Sequence, residues 1–349
     1  MQKNKLLLYG ANGYTGKLIA RYAKDFQLIP VLAGRNENLI STLAKELNCE
    51  YRIFSLNHSA EIEQSLSDVQ LVIHAAGPFA NTAKQMVEAC IASGTHYIDI
   101  NGDIPVFELI KTYHSKAENA GVMLMPGAGF DVIPTDCCAL HLKELMPDAT
   151  HLQLAFIASR SQTSHGTATT MATRIGEKAV VRINGKFVKK PLGYKGMWLD
   201  ANGQQRFVMS LQWGDISTAY HTTGIPNVEV FTGMKPSVYR ILKFQFLFNW
   251  LLRTKMMRSY IQQKIDKGPA GPTDEQRANA STVIWGKVKN AEGKELTHQF
   301  VCADGYSVTA WGILTIARKI LAGNYKAGYQ TPAGCYGKHL IDEIQGTKK

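Results

Sequence analysis

The chain opens on an apolar run, Leu6-Leu7-Leu8-Tyr9, which breaks into Gly10-Ala11-Asn12-Gly13-Tyr14-Thr15-Gly16 and resumes as Leu18-Ile19-Ala20. An uninterrupted apolar run reads as a buried strand, spaced glycines as a tight turn, and the segment after them as a helix. The alternation continues. Leu28 to Ala33 predicts a second strand, Asn38 to Leu47 a helix, and Tyr51 to Phe54 a third strand. Helix Ala60 to Leu66, strand Val69 to Ala75, helix Thr82 to Ser93 and strand Tyr97 to Ile100 follow, then helix Val106 to Ala120 and strand Val122 to Met125. This order predicts an α/β fold built on a Rossmann-type doubly wound parallel sheet, with ligands at the carboxyl ends of its strands.

From about residue 135 the pattern changes. His151 to Ala158 reads as a strand and Ser164 to Ile183 as small hydroxyl residues leading into a helix. Further strands are expected at Phe207 to Trp213, Ile216 to Tyr220 and Val228 to Phe231, and a hairpin joins Thr282–Val288 to Leu296–Val301 through Asn290-Ala291-Glu292-Gly293. These elements predict a second, α+β domain on a mostly antiparallel sheet. The expected division is 1–135 and 136–305, with helix Val308 to Leu321 and the rest of 306–349 packing back on the first domain.

The glycine turn carries chemistry. Gly10 permits the sharp turn, Gly13 permits close approach of backbone to a pyrophosphate, and Gly16 lets the helix lie against the strand. Phosphates would sit at a helix N-terminus, where unpaired N–H groups and the dipole attract anions. Asn12, Tyr14 and Thr15 belong to the same turn. An NAD site usually has an acidic residue about 20 residues further on, whereas an Arg suits a ribose 2′-phosphate. Here Arg35-Asn36 stands at that position, and no carboxylate lies between Asp25 and Glu37. The expected cofactor is therefore NADP(H), which makes the first domain the nucleotide-binding one. Leu56 and Asn57, after the third strand, are candidate adenine contacts. Ala76, Gly77, Pro78 and Phe79, after the fourth, are small or chain-stopping residues that let backbone lie against the cofactor.

Net charge is +11 over 349 residues, unevenly placed. Residues 1–150 carry 12 Lys and Arg against 16 Asp and Glu, leaving 27 against 12 in the remainder. The second half is thus expected to meet something anionic. Nothing resembles a nucleic-acid-binding signature. The six cysteines show no C-x-x-C and no zinc spacing, so no metal is expected, and adjacent Cys137-Cys138 reads as a buried helix face. Free thiols suit a reducing compartment, and Met1 to Lys5 leaves no room for a leader before the first strand. A cytoplasmic protein is expected, with peripheral membrane contact as the alternative. The segment for that contact is 238–267. There Phe244, Phe246, Leu247, Phe248, Trp250, Leu251 and Leu252 form an apolar block flanked by Arg240, Lys243, Arg253, Lys255, Arg258, Lys264 and Lys267. It reads as a buried helix under a basic rim, as the lining of an acyl tunnel, or as a contact for an anionic membrane or an acidic carrier.

Hydride transfer needs a group to handle a proton. The one Tyr-x-x-x-Lys, Tyr239 to Lys243, lies far from the cofactor turn and is set aside. Candidates are Asp103 after the fifth strand, Asp131 after the sixth, and Tyr306, with His165 and Thr167 as substrate contacts; Thr167 reads first as a helix cap.

Taken in order, the glycine turn, Ala33-Gly34-Arg35, Ala76-Gly77-Pro78-Phe79, Gly94-Thr95-His96-Tyr97-Ile98-Asp99 and Gly129-Phe130-Asp131-Val132-Ile133-Pro134-Thr135-Asp136 resemble the saccharopine dehydrogenase-like oxidoreductases. The resemblance is to the branch of trans-acting enoyl reductases and the animal saccharopine-dehydrogenase-like protein. Ser164-His165-Gly166-Thr167-Ala168, Gly268-Pro269, Glu275-Gln276-Arg277, Gly305-Tyr306 and Thr331-Pro332-Ala333 extend it, with His165 standing where Gly is usual. The resemblance implies an NADPH-dependent reductase. Because lysines are scattered and no arginine cluster is evident, an enoyl or carbonyl group on a lipid-like or polyketide-like substrate is expected. The alternatives are a saccharopine-type amino-acid reductase and a non-catalytic dinucleotide sensor or lipid-surface protein. A homodimer through the second-domain sheet is a further expectation.

Overall fold

In the computed structural model, which describes residues 3–160, 162–173 and 175–348, the chain divides into two compact units. One comprises Met1–Ile133 with Gly305–Gln345, the other Pro134–Asp304 with Gly346–Lys349.

In the first unit, β1 (Lys5–Tyr9), β2 (Pro30–Gly34), β3 (Tyr51–Ile53), β4 (Val69–His74), β5 (His96–Asp99) and β6 (Met123–Met125) form one parallel sheet. Its order is β3-β2-β1-β4-β5-β6, extended beyond β6 by the short strand Gly328–Tyr329. Leu7 lies opposite Val31 on one side and Val72 on the other. β1 and β4 are buried on both faces, as expected of strands with helices above and below, and this accounts for their continuous apolar sequence. Chain order reverses between β1 and β4. That reversal opens a crevice at the strands' carboxyl ends, the place where such sheets take ligands.

Two local expectations change here. The helix predicted over 106–120 is two helices, Ile104–Lys111 and His114–Asn119. At the break Thr112 Oγ1 donates to Leu109 O at 2.6 Å, a side-chain bond that competes with helix continuation. Asp99 was not singled out by sequence, yet it ties two strand ends together. Its buried carboxylate accepts from Tyr97 Oη (2.7 Å), Asn101 N (2.9 Å), Asn101 Nδ2 (2.7 Å) and Gly127 N (2.8 Å). Burial pushes its pKa up against those bonds. Asp99→Ala, which strands four donors, is expected to destabilise the protein by about 3 kcal/mol; urea unfolding checks this, and a loss within experimental scatter contradicts it.

The second unit carries a mixed eight-stranded sheet. Asn227–Gly233 pairs in parallel with His151–Ser159, and the other pairings are antiparallel, including the predicted hairpin, observed as Ser281–Lys289 with Glu295–Ala303. Within the expected 164–183 element, a helix spans only His165–Thr173 and Ala179–Ile183 is a strand; Arg174 lies outside the described residues. Ile216 to Tyr220, expected as a strand, is part of helix Asp215–Thr223. Its β-branched residues suggested a strand, but the segment is a helix buried over Asp215–Ala219 and at Thr223, and Gly224 at φ 70° ends it. Cys137 and Cys138 are buried on helix Ile133–Leu145.

Candidate dinucleotide site

After β1 the chain turns at Gly10, with φ 85°. Gly10 N donates to Ala33 O at 2.8 Å and Gly13 N donates to Gly10 O at 3.0 Å, closing the loop on itself. A Cβ at Gly10 would stand 2.7 Å from Ala76 N, and one at Gly16 only 2.2 Å from Gly10 O. Both positions admit glycine alone, the first for its left-handed backbone as well as its space. Helix α1 (Tyr14–Tyr22) starts immediately, with Gly13 as its N-cap and no side-chain cap. First-turn N–H groups of a helix have no carbonyl to meet within it, and Gly13 brings no side chain to take their place. This is an anion cradle at the sheet's switch point, and its residues fit a dinucleotide pyrophosphate.

The neighbouring strand ends frame the cradle. Arg35 is exposed directly beyond β2. Asn36, expected beside it as a cofactor contact, uses its side chain to cap helix Glu37–Leu47, accepting from Leu39 N at 3.1 Å. Asn12 reaches across to β2, its Oδ1 3.2 Å from where a Gly34 Cβ would be. Leu56 departs from expectation: it is buried and packs in the unit's core with Phe54, so its side chain faces inward. Asn57 is exposed at the same junction. After β4, Ala76 is half-buried, Gly77 and Pro78 are exposed and joined by a cis peptide, and the Phe79 ring packs at a tilt 5.5 Å from the His74 ring.

His74, missed by sequence because it ends an apolar strand, holds this loop. Its Nε2 lies 3.2 Å from Ala76 O and 3.1 Å from Thr82 Oγ1, and Thr82 Oγ1 donates to Ala76 O at 2.8 Å. Burial lowers its pKa to about 4, which keeps the ring neutral at physiological pH.

The acid candidates meet at the ends of β5 and β6. Asn101 Oδ1 accepts from Asp103 N at 2.9 Å, an Asx turn that presents Asp103. Asp131 packs against that turn: a Cβ on Gly102 would be 2.4 Å from Asp131 Oδ2. Burial, with the Asp103 charge adding to it, pushes the Asp131 carboxyl up to about 7. Phe130 N donates to Thr309 Oγ1 at 3.0 Å, fixing the loop beside Asp131 to helix Gly305–Leu321. Tyr306, at the start of that helix, belongs to the first unit and meets the Tyr14 ring edge-on at 5.1 Å. The structure thus brings Tyr306 to the glycine turn and Asp103 to Asp131.

A carboxyl whose folded pKa lies above its unfolded value binds more protons when folded. Its favourable contribution is complete below the unfolded pKa and is lost as pH rises through the folded one. Between pH 3.8 and about 7 Asp131 should therefore erode stability as pH rises. Asp131→Asn should flatten that decline by about 1–2 kcal/mol. Urea midpoints at pH 5 and 8 (about 3 pH units apart) measure it; an unchanged slope in the variant contradicts the assignment.

His165 and Thr167 lie in the second unit. His165 Nε2 sits 2.9 Å from Asp266 Oδ1, which joins helix His165–Thr173 to helix Lys255–Asp266. The capping role proposed for Thr167 falls instead to Ser164, whose Oγ accepts from Thr167 N at 3.3 Å while its carbonyl accepts from Ala168 N. No group of His, Cys, Asp and Glu suited to a metal occurs among the described residues.

Comparison with known proteins agrees with this geometry. Residues 6–125 match the family described as saccharopine dehydrogenase NADP binding domain. The mouse saccharopine dehydrogenase-like oxidoreductase is 30% identical over 161 residues, 40% of this chain and 38% of the mouse protein. A putative trans-acting enoyl reductase of Mycobacterium tuberculosis is 31% identical over 142 residues, 38% of this chain and 33% of that protein. The matches span less than two fifths of either relative's length. Among solved structures, apo saccharopine dehydrogenase (L-Glu forming) from Saccharomyces cerevisiae superposes with a TM-score of 0.69 at 13% identity, covering 99% of both chains. Residues 6–125 thus match the saccharopine dehydrogenase NADP-binding domain in sequence, and the chain as a whole shares the fold of saccharopine dehydrogenase.

Proposed function

We propose that the chain is an NADP(H)-dependent oxidoreductase reducing an enoyl or carbonyl group of a lipid-like or polyketide-like substrate. The observation that carries the oxidoreductase reading is the glycine cradle at the β1/β4 switch, whose Gly10 and Gly16 have no room for a side chain. NADPH, when bound, would supply the hydride. The chain's own residues do the rest. The Gly13–Gly16 turn holds the pyrophosphate, and Arg35 reads the ribose 2′-phosphate. Asp131, kept protonated near neutral pH by burial with the Asp103 charge adding to it, gives the substrate the proton that accompanies the hydride. Tyr306, edge-on to the Tyr14 ring, steadies the turn.

The lipid-like substrate class rests on chemistry elsewhere in the chain. Recognition of an amino dicarboxylate would call for arginines free to grip carboxylates. In the second unit Arg182 donates to Ile216 O and Gly185 O between the Phe187 and Tyr220 rings. Arg277 donates to Pro272 O and pairs with Asp274. Both buried guanidiniums are engaged in holding the fold.

NADPH oxidation against enoyl thioesters, aldehydes and ketones, and 2-oxo acids with lysine separates the readings. Turnover is expected with the first or second class, falling as pH rises above about 7 in the wild type and without that inflection in Asp131→Asn. Turnover only with 2-oxo acid and lysine makes the protein an amino-acid reductase. NADPH binding without turnover on any class makes it a dinucleotide sensor.

A further inference from the structure

We infer that residues 236–267 of the second unit form a docking element for an anionic membrane surface, lying on it without crossing it. The sequence suggested one apolar helix, most simply a buried one. The structure instead breaks the segment into Pro236–Leu242, the 3₁₀ turn Gln245–Leu247, Asn249–Leu252 and Lys255–Asp266. Ile241, Phe244, Phe246, Leu247, Trp250 and Met256 are between 60% and 74% exposed. Leaving one such side chain in water forgoes about 1.5–3 kcal/mol of burial, so a cluster this dense implies a partner.

The anchoring of the segment is inverted relative to an ordinary amphipathic helix. A few polar side chains tie it to the rest of the unit. Gln245 is buried and donates from Nε2 to Leu192 O at 2.7 Å and Leu242 O at 2.8 Å. Arg253 Nε donates to Gly176 O at 2.8 Å, and Gln262 Nε2 to Thr169 Oγ1 at 3.1 Å. The apolar groups, held out by these bonds, face solvent. Trp250 satisfies its indole N–H internally on Leu247 O at 2.9 Å, so the ring can leave water without stranding a donor.

Charge selects the occupant. Arg240, Lys243, Arg253, Lys255, Arg258, Lys264 and Lys267 stand against Asp266 alone within the segment. Among the described residues, Arg258 alone of these cations meets a carboxylate, Glu177 at 3.1 Å. A second copy of the chain would bring one cationic rim against another. An acidic carrier protein would answer the charge but leave little role for so many apolar side chains. An anionic bilayer answers both, aromatics entering the headgroup–acyl boundary while lysines and arginines face lipid phosphates. No helix among the described residues is long and apolar enough to cross a membrane, which fits a surface contact. The inference holds whatever the substrate, though a surface-held enzyme would have ready access to a lipid-like one.

The test is co-sedimentation of the full chain with phosphatidylcholine vesicles, with and without phosphatidylglycerol, at low and physiological salt. Binding is expected on phosphatidylglycerol vesicles and weakened by salt. Phe246→Ser with Trp250→Ser, and separately Arg240→Glu with Lys255→Glu, should each lower partition by at least about tenfold. These residues are exposed, so circular dichroism and NADPH affinity should stay unchanged and report intact folding. Absence of binding to phosphatidylglycerol vesicles at low salt overturns the inference. So does binding that neither pair of substitutions alters. Capture of an acidic acyl carrier protein without vesicle binding would reassign the segment to a protein partner. Concentration-dependent dimerisation abolished by the apolar pair, again without vesicle binding, would reassign it to self-association.

Discussion

Gly16→Val should abolish measurable NADPH binding and destabilise the fold by about 2–3 kcal/mol. Even a Cβ at this position meets Gly10 O at 2.2 Å, Ala11 Cα at 3.0 Å and Gly10 C at 3.0 Å. All three atoms are backbone of the turn itself, so relief requires α1 to lift away from β1. That movement carries the helix N-terminus off the pyrophosphate position, coupling the stability loss to a binding loss of at least about 100-fold. Gly94→Ala is the matched control. Gly94 caps helix Phe79–Ser93 at φ 65° with nothing within 4 Å of its would-be Cβ. That substitution should cost about 1 kcal/mol from backbone strain and leave NADPH affinity intact. Urea unfolding and a fluorescence titration on both variants make the comparison. Equal losses of affinity would mean that the turn is merely structural.

Arg35→Glu should reverse nucleotide preference without touching stability. Arg35 is exposed beyond the end of β2, and no carboxylate lies between Asp25 and Glu37. A charge-assisted pair of bonds to a 2′-phosphate contributes about 1.5–3 kcal/mol, and a carboxylate in its place adds repulsion. NADPH affinity is therefore expected to fall about 100-fold while NADH affinity holds or rises, since Glu can accept from the 2′-hydroxyl. A variant that keeps its preference for NADPH would place the 2′-phosphate elsewhere.

The first unit was legible in sequence where local pattern and tertiary role coincide. Leu6-Leu7-Leu8 is apolar throughout because β1 is buried on both faces, and Gly10 and Gly16 are glycine because the strand, turn and helix close on one another. Asp99 and His74 were not legible as positioning residues. Each is one polar residue ending an apolar strand, and its role depends on partners such as Gly127 and Thr82 that only the fold brings near. Leu56 and Asn57 read alike as loop residues, but strand-end geometry turns one into the core and the other into solvent.

The second unit was less legible for identifiable reasons. Among the described residues Lys186–Lys190 pairs with a single neighbouring strand, and its three lysines in five residues suggested no strand at all. Gly196–Ala201 pairs only with Gln204–Leu211 and leaves Trp198 exposed, so its apolar pattern is weak. In 238–267 an apolar block suggested burial, yet inward bonds from Gln245, Arg253 and Gln262 decide which side faces out, and hydropathy carries no trace of that.

The central claim is that the glycine turn after β1 is the seat of a phosphorylated nicotinamide dinucleotide. Calorimetric titration of the full chain with NADPH, and in parallel with NADH, tests it most directly. Saturable one-to-one binding is predicted, with NADPH favoured by at least about tenfold on the strength of Arg35. No saturation with either nucleotide on folded protein, or the same affinity for both, would contradict it.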